Sequence, residues 1–289
     1  MDPEFLNVLR TAFEEYLGAL GGSLVPDDSL LPYDYPYITD AKWRPFADAM
    51  LQDELREFTN RLHEWRDMLR RWQAWNGVVS SREEMPAWDL RREFMEPLMH
   101  TCLMMPSAVR DLATFVGTNA LHQIRLHTET SYRDVLEGDP SAANPTPRPL
   151  TRRQKEARLS RLAEPLQGSD QFMSALRQID DEVYRTQTKD YRNLNSHAIG
   201  PRIALGHTRM VTRRAEPAVR VEALPGGAGR LVEDPGRYVA SYGVGGLEPL
   251  DLESARVASL GQYTASRRCF ALFTALLQTH CAKLPRADA

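Results

Sequence analysis

The chain has 289 residues, of which 42 % are apolar and 26 % charged, with a formal net charge of −3. That is enough apolar material for one large core, and too little net charge for global attraction to nucleic acid or an anionic membrane. No apolar run approaches the roughly 18 residues of a membrane span.

Met1–Phe5 has neither a basic stretch nor an apolar one behind it, so no secretory signal is expected. Cys102, Cys269 and Cys281 are odd in number and form no C-x-x-C pair, which points to reduced thiols in a cytoplasm. The basic residues are 32 Arg and 4 Lys, the imbalance expected of a GC-rich genome.

Phe5, Leu6, Leu9, Phe13, Tyr16, Leu17 and Leu20 repeat at helical spacing and stop at Gly21-Gly22. Residues 23–40, with Pro26, Pro32 and Pro36, predict a coil wrapped over the surface. A long helix follows from Pro45 to about Trp75, its stripe built from Phe46, Met50, Leu51, Phe58, Leu62, Trp65, Leu69 and Trp72. A third helix is expected from near Pro86 and a fourth from just after Pro106 to about His127. Four prolines and a glycine between 138 and 149 predict a loop. Helices at about 151–165 and 169–195 come next, then a β-hairpin at about 215–245 turning at Gly226–Gly229, and a last helix from about Leu252 to Lys283. With no internal repeat and no break in composition, the expectation is one all-α domain over 1–289: a helical bundle with a small β-hairpin insertion.

No hydrolase, phosphate-loop, dinucleotide or zinc-protease motif is present. None of the seven histidines lies three or four residues from another, which argues against a metal face on one helix. Arg192, Asn193 and His197 resemble the Arg-polar-x₃-His motif of HEPN-type ribonucleases. There Arg holds the scissile phosphate and His moves the proton of the 2′-hydroxyl. On a continuous helix Arg192 and His197 would stand about 140° apart, so that chemistry needs a break between them. Arg-to-His spacings of this kind occur three times in the chain, where about two are expected by chance.

A second neighbourhood is more specific. His207-x-Arg209-x-Val211-x-Arg213 resembles the proximal-ligand segment of the tryptophan 2,3-dioxygenase superfamily of histidine-ligated haem proteins. Read as helix, Ile203, His207, Met210, Val211 and Arg214 would share one face, with the imidazole among apolar side chains. Gly243-Val244-Gly245-Gly246 stands where the superfamily has a Gly-Thr-Gly-Gly loop over the substrate, with Val244 in place of the Thr. Within the superfamily the layout looks most like the haem-dependent L-tyrosine hydroxylases of actinobacterial natural-product pathways. That resemblance implies haem b, L-tyrosine and hydrogen peroxide as co-substrates, and L-DOPA as product. It implies His207 as iron ligand, Arg209 and Arg213 at the cofactor, and the 243–246 loop at the substrate. His100, expected among Met95, Leu98, Met99, Cys102, Leu103, Met104 and Met105, takes the distal acid/base role. No membrane or nucleic-acid partner is expected, and a homodimer is left open. The alternating charges of the hairpin read as a solvated ribbon rather than an RNA surface.

Overall fold

The computed structural model describes residues 3–22, 25, 29–142 and 145–286. The expectations placed on Met1, Asp2 and Pro26 lie outside the described residues. The architecture is all-α with one two-stranded antiparallel hairpin. The chain gathers into two compact units, Met1–Thr188 with Glu253–Ala289, and Lys189–Leu252.

The first unit is helical. Helix α1 spans Pro3–Gly22, the short α2 Pro36–Thr39, and α3 Ala47–Ser80. The stripe of α3 is buried as its spacing demands: Leu51, Leu55, Phe58, Leu62, Trp65, Leu69 and Trp72 have no exposed surface. Phe46 does not join it. It caps the helix from a left-handed backbone (φ 69°), with its ring 85 % exposed. At the far end Trp75 is stacked between Tyr16 and Phe94, each 4.5 Å away. Helix α4, Glu84–Leu90, passes through a π turn, Arg91–Met95, into α5, Glu96–Thr128.

Pro106 neither ends nor starts a helix; it lies inside α5. A proline there removes the N–H that would satisfy the carbonyl four residues back and crowds that turn. The orphaned Cys102 carbonyl accepts instead from Ser259 Oγ at 3.3 Å, and the adjacent Leu103 carbonyl accepts from Tyr184 Oη at 2.9 Å. Trp65 Nε1 in turn donates to Ser259 Oγ at 3.3 Å. Side chains from two other helices thus repair the turn that proline breaks, with Trp65 of α3 holding one of them in place.

Helices α6 (Arg152–Ala163), α7 (Ser169–Arg177) and α8 (Glu182–Gln187) follow. Gly117 of α5 lets the first two approach, since a Cβ there would lie 3.3 Å from both Leu159 and Phe172. The long helix expected over 169–195 is broken by Asp180, whose backbone is left-handed (φ 54°). Its carboxylate is 3 % exposed and pairs with Arg152 at 2.8 Å and Arg185 at 3.0 Å. The last helix of the chain, α10 (Leu252–Cys281), packs Tyr263 against Trp65 and Phe270 against Phe58.

The second unit holds helix α9, Tyr191–His197, and the ribbon of β1 (Val211–Ala223) and β2 (Gly229–Val244). The register runs from Val211↔Val244 at the base to Ala223↔Gly229 at the tip. Gly226 and Gly227 supply the positive φ the tip needs. Between Pro217 and Val219 the register shifts, because β2 carries extra residues there. Lys189 Nζ closes the unit on itself, donating to the Glu248 and Pro249 carbonyls at 3.2 Å each.

Candidate cofactor site

His207 does not lie on a helix. Residues 198–210 are extended and turned, held by backbone pairing to 247–250. Two left-handed positions, Gly206 (φ 86°) and Arg209 (φ 56°), bracket the histidine and prevent helical continuation. The shared apolar face expected for Ile203, His207, Met210, Val211 and Arg214 is therefore absent. Ile203 is buried, whereas His207, Met210, Val211 and Arg214 are exposed.

The structure does bring the two motif segments together. Thr208 and Leu247 exchange backbone hydrogen bonds of 3.1 and 2.8 Å, and Gly245 N donates to the Met210 carbonyl at 2.9 Å. Gly246 packs where no side chain would fit comfortably. A Cβ there would lie 3.2 Å from Met210 Sδ, 3.2 Å from the Thr208 carbonyl and 3.6 Å from His207 Cβ. Gly243 and Val244 end β2, with Val244 90 % exposed. Arg213 lies on β1 directly across from Tyr242. Thr208 Oγ1 anchors the segment from below, donating to the Gly200 carbonyl at 2.9 Å.

Most other histidines are committed to the scaffold. His63 Nε2 accepts from Leu31 N at 2.8 Å and its Nδ1 meets Tyr33 Oη at 3.0 Å, tying the 29–37 strap to α3. Burial, and then Arg66 and Arg267, lower its pKa. His127 Nδ1 bonds the Gln123 carbonyl, and His280 Nε2 the Gln167 carbonyl. His122 sits in a chain that sequence spacing did not suggest: Nδ1 to Tyr132 Oη at 2.7 Å and Nε2 to Asp134 at 2.9 Å. Its partners come from the loop after α5, so no helical period links them. His197 and His207 have no hydrogen-bond partner among the described residues.

His100 belongs to the helical unit, whereas His207 belongs to the other. From the end of the π turn into α5 the core stripe takes Met95, Met99, Cys102 and Leu103, and His100 falls beside it, exposed. Of the sulfur-bearing side chains expected around its imidazole, Met95, Met99, Cys102 and Met105 are buried in the bundle core, and Met104, one turn on from His100, is half-buried. The three thiols are buried and free, and burial alone pushes Cys102 and Cys281 up, the latter to about 12.

Helix α9 runs unbroken from Tyr191 to His197. Arg192 and His197 accordingly stand about 140° apart around its axis. Asn193 is used locally, its Nδ2 donating to Asp190 at 3.0 Å. The break that would let these three residues converge on a phosphate is not present within the helix. No group of three or more metal-ligating side chains occurs among the described residues, and no described helix is long and apolar enough to cross a membrane. Compared with protein-family models, curated proteins and solved structures, the chain finds no match in any of the three.

Proposed function

We propose that the protein binds haem b through His207 and hydroxylates L-tyrosine to L-DOPA with hydrogen peroxide. The observation behind this is the pairing of the His207 segment with the Gly245–Leu247 segment, nearly forty residues later, which leaves an open imidazole beside Gly246. An axial ligand must be a neutral, accessible imidazole nitrogen, and His207 is exposed and without a partner among the described residues.

The residues fit one side of such a group. Leu205 and Met210, 41 % and 54 % exposed, offer apolar surface on the ligand segment, and Met side chains conform to flat ligands. Arg209, turned outward by its left-handed backbone, is the nearest guanidinium in sequence for a propionate. No acceptor among the described residues holds the second ring nitrogen, so His207 is oriented by its backbone alone. When bound, the haem iron supplies the peroxide chemistry. His207 holds the group in place, and the side-chain-free positions 243, 245 and 246 leave room for a substrate to approach the backbone. His100 is assigned the proton transfer, for which an imidazole open to solvent is chemically competent.

Haem titration followed by its Soret band tests the proposal. One haem per chain is expected, lost or loosened in His207→Ala and retained in His197→Ala. His100→Ala should keep haem and lose about 10²-fold or more in L-DOPA formation. A protein that takes up no haem, or metal-free RNA cleavage abolished by Arg192→Ala, would overturn the assignment.

A further inference from the structure

A two-stranded ribbon has too little buried surface to be stable alone in water, so an apolar face on one calls for a cover. Strand β1 is continuous from Val211 to Ala223, so its odd-numbered residues share a face with their partners on β2. That face carries Val211, Val219, Val221, Leu231, Tyr238, Tyr242 and Val244, which are 61–90 % exposed. The opposite face carries Arg214, Glu216, Arg220, and the cross-strand pair Glu222–Arg230 at 3.0 Å, a charged surface suited to water. The ribbon is thus amphipathic: both faces meet solvent, the charged one with Val239 among its residues at 45 % exposure, and the odd-numbered face does so with the larger set of apolar side chains.

We propose that this face is where a second copy of the chain docks, ribbon against ribbon, about a two-fold axis through the middle of the face. Three features favour a second copy over a foreign partner. Only two charges interrupt the apolar face, Arg213 towards the base and Glu233 towards the tip, and neither has an ion-pair partner among the described residues. A two-fold axis passing between the Ala215–Ala240 pair and the Pro217–Tyr238 pair sets Arg213 of each copy against Glu233 of the other. The same operation lays the small Ala215–Ala240 pair against Pro217 and the Tyr238 ring, and Val211 and Val244 against Val221 and Leu231. A two-fold interface must be self-complementary in this way, each residue meeting the partner of its own mate. Finally, all seven side chains are at least 61 % exposed, so the face is bare along its length, as a partner's share of about 800 Å² in a standard stable interface requires.

The test is the oligomeric state of the full chain by sedimentation velocity at high micromolar concentration. A dimer is expected. Val221→Ser with Tyr238→Ser should raise its dissociation constant at least tenfold, whereas Arg220→Ala on the charged face should leave it unchanged. Arg213→Glu and Glu233→Arg should each weaken the dimer, and the two together should restore it, with far-UV circular dichroism constant throughout as the check on folding. A monomeric wild type overturns the proposal. So does a dimer indifferent to the apolar substitutions or equally weakened by Arg220→Ala, a charge exchange that restores nothing, or a monomer that retains RNA through the ribbon.

Discussion

The helical unit and the ribbon unit use comparable apolar side chains to opposite ends. In the first, Phe58, Leu62, Trp65, Leu69 and Trp72 have no exposed surface. In the second, Val219, Val221, Leu231 and Tyr238 are 61–70 % exposed. A helix stripe in a bundle finds its cover in the same chain, because neighbouring helices present stripes of their own. Two strands have one face in common and no third element to close over it. Apolar pattern therefore reads as core in one unit and as surface in the other.

The sharpest way to break that contrast is substitution. Trp65→Ala should remove about 4 kcal/mol of stability, read by chemical denaturation, because it empties a fully buried site. A loss below 1 kcal/mol would mean the bundle core is looser than its packing indicates. Ser259→Ala comes next. It strips the donor from the Cys102 carbonyl and the acceptor from Trp65 Nε1, at about 1–2 kcal/mol. In a Pro106→Ala background the backbone N–H returns to that carbonyl, so the cost of Ser259→Ala should fall by about half. Equal costs in both backgrounds would show that the serine does not compensate the proline.

Glu54 sharpens the comparison through pH. Burial raises its carboxyl to about 7, against a lowering hydrogen bond from Asn119 and a further rise from Asp53. The folded state then holds a proton that the unfolded chain releases near its ordinary value of 4.5. The contribution of this group is fully present below that value and is lost as pH climbs through about 7. Glu54→Gln should therefore stabilise the protein at pH 8 by about 1 kcal/mol, the shift being discounted for solvent screening of a half-buried group, and do little at pH 4. A gain that is larger at pH 4 would reverse the assigned sign. The smallest effect belongs to the ribbon: Val221→Ala, at a 70 % exposed position, should change stability of the dilute protein by less than about 0.5 kcal/mol.

The amino-acid sequence by itself determined the fold class, the stripe of α3, the hairpin and its glycine turn. These follow from local periods and turn residues, which act over a few positions. The motif pattern also links the His207 segment to the 243–246 stretch, and Gly246 packs beside His207. Only the tertiary structure decided that α5 runs through Pro106, because the groups that repair that turn, Ser259 and Tyr184, are 157 and 81 residues from the carbonyls they satisfy. It alone decided that 203–210 is not helical. The apolar spacing there allowed a helix, but pairing with 247–250 and left-handed backbone at Gly206 and Arg209 took the segment out of that conformation. The exposure of His100 has the same kind of cause. Its sulfur-rich neighbours identify a buried helix, but which of residues 95–105 face the core depends on what packs against that helix, and that partner is distant in the chain.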